Sequence, residues 1–238
     1  HWQAQVTYNG RTNIYNVWYY YENDQVPNTE FTEWTTCETY TSAPKPKGWY
    51  TVADALGKHS GFGSFNPDGM VSKSGSDAVF LKTPYSTPGG GNIPGFITLG
   101  KVTGKWGVAG SSSFGISGGI NFHNTPDQLD IRYYNSKVKN HSLIQYSLTG
   151  THGVKTLEWK DSETQSDYKV VSFDLSEANK AAGDPTLLNI TLCSFNSIAG
   201  TTNTALNTLA EMYVDYIRFS YNSTLTGLKV NDSIANMD

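Results

Sequence analysis

Apolar and polar residues alternate with a period of two along most of this chain, and Gly, Pro, Asn or Asp interrupts the alternation at short intervals. That period is the signature of half-buried β-strands. Runs of this kind are Ala78 to Lys82, Ile97 to Val102, Gly119 to His123, Gln128 to Tyr134 and Leu143 to Leu148. Lys155 to Trp159, Lys169 to Asp174, Leu187 to Phe195 and Met212 to Tyr221 continue the series. Only Ser176 to Ala182 reads as a helix, ended by Gly183-Asp184-Pro185. Parallel βαβ architecture lacks its crossover helices, so the pattern predicts an all-β antiparallel β-sandwich, a jelly roll, over residues 28–222.

Residues 1–27 are expected to form an N-terminal β-hairpin and linker, the remnant or partner of a preceding domain. Two β-like runs between Gln3 and Tyr21 are joined by Asn9-Gly10, which suits a type I′ turn. The second run carries aromatics on both faces, and the polar stretch Glu22 to Thr29 follows it. The tail, residues 223–238, is polar with spaced Leu228, Val230 and Ile234, as at the start of a further domain.

One run places a carboxylate in an unusual position. A regular strand over Glu211 to Tyr221 puts Tyr213, Asp215, Ile217, Phe219 and Tyr221 on one side, which is too apolar to face water. A carboxylate there needs a cation, backbone N–H groups or a hydroxyl as partner. The alternative is a bulge that shifts the phase, turning Met212, Val214 and Tyr216 inward and Asp215 outward.

Composition changes the picture mainly by exclusion. Charged residues make up 16% of the 238 and the net charge is -4, with no block of Lys or Arg, so nucleic acid is a poor partner. No apolar run is long enough to cross a membrane as a helix. A start at His1, without Met or an apolar leader, is what a processed secreted protein shows. Cys37 and Cys193 flank no CxxC or His cluster and cannot make a zinc site, leaving one disulfide or two buried thiols. Asn189-Ile-Thr191 is a glycosylation sequon, relevant only in a eukaryotic secretory pathway.

Several strings look like motifs and lack their context. Gly115-Ile-Ser-Gly-Gly119 matches the hydrolase elbow, but a strand rather than a helix follows Ser117. Pro88-Gly-Gly-Gly-Asn92 is followed by neither a Gly-Lys-Ser/Thr sequence nor a helix, so it is no phosphate cradle. Glycosidic hydrolysis usually takes two carboxylates flanking the scissile bond. Asp127 and Asp130, like Glu30 and Glu33, are three apart and fall on opposite faces of a regular strand, unless Asp127 sits in the preceding loop.

A better constellation comes from treating Gly119 to His123 and Gln128 to Tyr134 as neighbouring strands. With Ile120, Phe122, Leu129, Ile131 and Tyr133 inward, the opposite face collects Asn121, His123, Asp130, Arg132 and Tyr134. A ring to stack on a sugar's C–H face and polar groups for adjacent hydroxyls are what carbohydrate binding requires. An ordinary wet sheet face with cross-strand pairs would look the same. Trp34, Trp49 and Trp159 read as core, whereas Trp106, in the turn Gly104-Lys-Trp-Gly107, is the best stacking candidate after Tyr134.

The order of Phe31-Thr-Glu-Trp34, Pro46-Lys-Gly-Trp-Tyr50, Thr125-Pro-Asp-Gln-Leu-Asp-Ile-Arg-Tyr-Tyr134 and Val214-Asp-Tyr-Ile-Arg-Phe-Ser-Tyr221, with the strands around Phe80 and Gly100 between, resembles a known family. It is the carbohydrate-metabolism domain family, PCMD, of secreted and surface proteins in Bacteroides-type gut bacteria. The resemblance implies a jelly roll like a carbohydrate-binding module or galactose-binding domain, and supplies no catalytic residues. It also suggests a structural calcium ion on Asp215, with Glu30 or Glu33 as further oxygen ligands. No other cofactor is expected. The expected function is glycan binding without catalysis, in an exported protein of the cell surface or periplasm and alongside adjacent domains of a longer chain. A glycoside hydrolase on the same scaffold, or an adhesion or structural module that binds protein, are the alternatives.

Overall fold

The structure, a computed structural model, describes residues 2–8, 11–17, 25–60, 65–83, 94–105, 113–138, 141–198 and 210–221. Its strands are β1 (Trp2–Tyr8), β2 (Arg11–Val17), β3 (Trp34–Thr36), β4 (Pro44–Pro46), β5 (Val71–Ser74), β6 (Ala78–Thr83), β7 (Phe96–Thr98) and β8 (Lys101–Lys105). There follow β9 (Ser113–Ser117), β10 (Ile120–Asn121), β11 (Gln128–Lys137), β12 (Ser142–Gly150), β13 (Gly153–Asp161), β14 (Lys169–Asp174), helix α1 (Ser176–Ala182), β15 (Pro185–Cys193) and β16 (Ala210–Ser220).

Two five-stranded antiparallel sheets carry the fold. One runs β14-β11-β16-β6-β5, the other β10-β15-β12-β13 with β7 also on β15. The chain passes back and forth between them, as in a jelly roll, and the sandwich expected from the alternation is what forms. Strands β1 and β2 pair antiparallel, as expected of the N-terminal hairpin. Helix α1 falls where the pattern put it. Gly183, at φ 77°, ends it in a conformation that costs glycine little. The tail, residues 223–238, lies outside the described residues, as do Asn9-Gly10, Pro88-Gly-Gly-Gly-Asn92 and Trp106.

The alternation decides what is buried. In β11, Leu129, Ile131, Tyr133 and Asn135 turn inward while Asp130, Arg132 and Tyr134 turn out. They meet Ile144, Tyr146, Leu148, Leu188, Ile190 and Leu192 of the facing sheet. Trp49 is buried, and Trp159 packs on Phe173 with ring centroids 4.0 Å apart, so both are core as expected.

Strand β16 departs from the regular phase. Arg132 pairs with Tyr216 and Tyr133 with Val214, which leaves Asp215 as the extra residue of a β-bulge. Met212 and Val214 before the bulge and Ile217 and Phe219 after it all face the core. Each such side chain gains about 1.5–3 kcal/mol on burial. A lost ladder hydrogen bond is worth about 1 kcal/mol, so the bulge wins over an unbroken strand. The inward reading of Asp215 is therefore corrected, and the bulge alternative holds in part, because Tyr216 stays half-exposed rather than turning inward. Beyond the reach of β6, residues 25–29 complete this strand: the Gln25 side chain bonds both ways to the Phe219 backbone, at 2.7 and 2.9 Å, and Ile217 N–H donates to Thr29 O at 2.9 Å.

A second, smaller core lies on the outer side of the β15-containing sheet, where Val52, Leu56, Phe65, Met70, Phe96, Val102, Leu143, Cys193 and Phe195 are buried together. It covers one end of that sheet. Cys37 and Cys193 are both buried free thiols, and burial pushes each up to about 12. The disulfide alternative thus gives way to two thiols.

One polar cluster ties the sheets together. Asp161, at the end of edge strand β13, accepts hydrogen bonds from Tyr133 Oη at 2.9 Å, Asn135 Nδ2 at 3.2 Å, Gln165 Nε2 at 3.2 Å and the Glu163 N–H at 3.0 Å. Lys169 of β14 adds an ion pair at 2.9 Å. Burial alone would raise this carboxyl, but those donors hold it below the usual carboxylate value. Asp161→Ala is expected to lower unfolding stability at neutral pH by about 2–4 kcal/mol, read as a lower urea midpoint. Because the folded-state carboxyl titrates below its unfolded value of 3.8, its contribution is complete above that value and is lost as pH falls through the folded one. The gap between wild type and variant should therefore close on acidification below pH 3.8.

Candidate functional site

The outer faces of the two sheets differ in what they leave open. On the β11–β16 face, rings form a ladder across four chain segments. Phe80 lies 4.6 Å from Tyr213, Tyr213 lies 4.5 Å from Tyr134 at an interplanar angle of 1°, and Tyr134 meets Tyr168 edge to face at 4.7 Å. Strands repeat about every 4.8 Å, so rings standing on adjacent strands stack on one another. Tyr134 stands between Tyr213, on which one of its faces stacks, and Tyr168, which it meets edge to face.

The polar groups of this face are likewise engaged. Arg132 pairs with Asp215 and lies 4.6 Å over the Tyr168 ring. Asp130 accepts from the hydroxyls of Ser172 and Ser220, each at 2.5 Å. Burial pushes the Tyr168 hydroxyl up to about 12, with Tyr134 and Asp215 adding to the effect.

Asn121 and His123 do not join this face. Strand β10 pairs with Leu187 and Leu188 of β15, which places them on the other sheet. The expected cluster of Asn121, His123, Asp130, Arg132 and Tyr134 is thus split by a crossover through residues 122–127. His123 instead sits beside Pro185, its Nδ1 3.3 Å from the carbonyl. Asp127 falls in the loop before β11, as the carboxylate-pair exception required, but Asp130 is held by the two serines. Ser117 lies in strand β9 with no helix after it.

The three carboxylates read as calcium ligands are engaged by different cations. Asp215 pairs with Arg132, Glu30 with Arg218, and Glu33 with Lys47 at 2.7 Å. Among the described residues no group of three His, Cys, Asp or Glu side chains is gathered for a metal. The partner that the structure gives Asp215 is the Arg132 guanidinium.

The other sheet carries an open cleft of about 460 Å³, within the usual size of ligand sites. Its floor is the part of the sheet that the second core leaves uncovered. Cross-strand register sets Asn189 beside Ser147 and Leu187 beside Thr149, with Val154 on the far side of Thr149. Gln145 adds a second amide. The wall is the hairpin β8–β9, whose Phe114 and Ile116 lie at the margin of the second core, together with Ile198. Asn121 pairs with Leu187 and so stands at one end of this floor.

Two features hold the cleft in shape. Gly100 turns the chain from β7 into β8 with almost no clearance: a Cβ there would stand 2.5 Å from Ile116 Cγ2. The single run expected over Ile97 to Val102 is two strands with different partners, β7 on β15 and β8 on β9. Hydroxyls and an amide then run in series, Thr191 Oγ1 to Thr98 Oγ1 at 2.9 Å and Thr98 Oγ1 to Asn189 Oδ1 at 2.8 Å, while Gly100 N–H reaches the same oxygen at 2.9 Å. The Asn189 oxygen is thereby occupied and its Nδ2 group is the part left to donate to a ligand. Gln145 Nε2 donates to Glu158 Oε1 at 2.8 Å, which leaves the Gln145 oxygen as an acceptor. Ser147 and Thr156 hydroxyls lie 3.2 Å apart. No carboxylate lines the cleft among the described residues.

Sequence reasoning did not find this site. Its signal was present in the polar outward positions Gln145, Ser147 and Thr149 of one run and Asn189 of another, but nothing in a single sequence says that those two runs are neighbours.

No family model and no curated protein matches the chain. Among solved structures it is similar to a non-crystalline cellulose specific carbohydrate-binding module, CBM28, at 11% identity over 78% of this chain and 94% of the module, with a TM-score of 0.39. The laminarinase catalytic domain from Thermotoga maritima MSB8 is similar at 11% identity over 80% of this chain and 99% of that one, with a TM-score of 0.37. A glycoside hydrolase family 43 arabinoxylan arabinofuranohydrolase from Bacillus subtilis is similar at 12% identity over 60% of this chain, with a TM-score of 0.27, and the chain spans only 24% of its length. At these identities and scores the likeness bears on neither ligand nor reaction. What the coordinates define by themselves is an antiparallel β-sandwich.

If the ring ladder is part of the scaffold, Tyr134→Ala should remove two ring contacts of about 0.5–1.5 kcal/mol each. A fall in thermal midpoint of several degrees is the expected result, and an unchanged midpoint would show that the ladder is not structural.

Proposed function

We propose that this chain is a glycan-binding module that holds carbohydrate in the cleft across β12 and β15 and breaks no bond. The observation that carries the reading is the chemistry of the lining. Amides and hydroxyls stand at strand spacing on a rigid floor, and Phe114 and Ile116 form an apolar wall beside them. Sugar rings present the same two kinds of surface, hydroxyl edges and C–H faces. Hydrolysis would ask for two carboxylates roughly 5 to 10 Å apart around the scissile bond, and the lining offers none among the described residues. A setting at the cell surface or in the periplasm, where polysaccharide is met, goes with this reading.

The test is affinity electrophoresis and calorimetry against a panel of soluble polysaccharides. Gln145→Ala and Phe114→Ala are expected to weaken binding about tenfold each, the loss of one hydrogen bond or one apolar contact of about 1.4 kcal/mol. Tyr134→Ala and Arg132→Ala, on the opposite sheet, should bind as the wild type does. Affinity that survives both cleft substitutions overturns the assignment, and release of reducing ends from any bound polymer overturns the non-catalytic reading.

A further inference from the structure

Among the described residues, the lining of the cleft contains amide, hydroxyl, aliphatic and aromatic side chains and no ionisable group. The nearest charges in register are on β13, where Glu158 is opposite Gln145 and pairs with Lys160 at 3.5 Å. That lysine is therefore engaged, and the carboxylate beside it accepts from Gln145 as well. On the wall, Val102 of β8 is buried toward the sheet while its neighbours Lys101 and Thr103 are exposed.

Resting on the glycan-binding reading above, we infer that the cleft selects neutral glycans and rejects those bearing uronate or sulfate groups. The reason is desolvation. An anionic sugar seated here would lose water from its charge against Phe114, Ile116, Leu187 and Val154 and meet no cation among the described lining residues. At the Gln145 end Glu158 is paired with Lys160, so those two charges nearly cancel and offer an anion little net attraction. A neutral sugar loses only hydroxyl hydration, and the Asn189 Nδ2 donor, the Gln145 acceptor and the Ser147 hydroxyl replace it.

The decisive experiment compares one polymer with its own acid. The glucan, mannan or galactan that the intact chain binds most tightly is oxidised at C6 to the carboxylate, and both forms are titrated at low and high salt. The expected result is at least a thirtyfold loss of affinity for the oxidised form, with binding of the neutral form insensitive to salt. Thr149→Lys, which places a cation in the lining, should narrow that gap. Equal or tighter binding of the oxidised form would overturn the selectivity while leaving glycan binding in place. Failure to bind any polymer of the panel, neutral or acidic, would overturn the glycan reading itself and the selectivity with it.

Discussion

A sheet in a two-layer sandwich has one face to bury, yet the sheet containing β15 buries apolar groups on both faces at one end. Leu188, Ile190 and Leu192 face the main core, while Leu143 and Cys193 face the second core on the outside. Covering that outer end takes Val52, Leu56, Phe65 and Met70 together with strands β8 and β9. What stays uncovered is a strip of amides and hydroxyls bordered by the apolar margin of the covering layer. The cleft is thus a consequence of where the second core stops. Its floor consists of regular strands and its wall is pinned through Gly100 and Asn189, so little ordering is left to be done when a ligand arrives.

The opposite outer face solves a different problem. Four rings, two arginines and two carboxylates would make a conspicuous surface if they pointed outward as separate groups. Across strands about 4.8 Å apart they instead satisfy one another, ring against ring and guanidinium against carboxylate. The composition that suggested a sugar platform is present, and its rings are set against one another rather than side by side.

Legibility in the sequence followed the period of two. Leu129, Ile131 and Tyr133, or Tyr146 and Leu148, announce their face because alternation is a local property, and the sandwich follows from it. Pairing is not local. Gly119 to His123 and Gln128 to Tyr134 sit close in sequence and have matching phases, so they read as neighbours, whereas the chain between them crosses to the other sheet. The same limit hid Asn189 and Ser147, adjacent across β12 and β15 although 42 positions apart. Asp215 was noticed for the right reason, a conflict between charge and phase. Phase alone leaves a regular strand and a bulge both open, and the core contacts of Val214 and Ile217 on either side of Asp215 decide for the bulge.

The position of β16 in its sheet has a consequence for how the chain is made. It is the central strand, flanked by β11 and β6, and it is the last strand in the described sequence. Residues 25–29 also lean on it, from almost two hundred positions away. Until Ala210 to Ser220 have left the ribosome, β6 and β11 each have an edge with no partner, and the sandwich cannot close. Such far-separated pairings make for slow folding with exposed intermediates. Closure therefore waits for this strand, and a chain cut short before Ala210 would keep both edges open to pairing with other molecules.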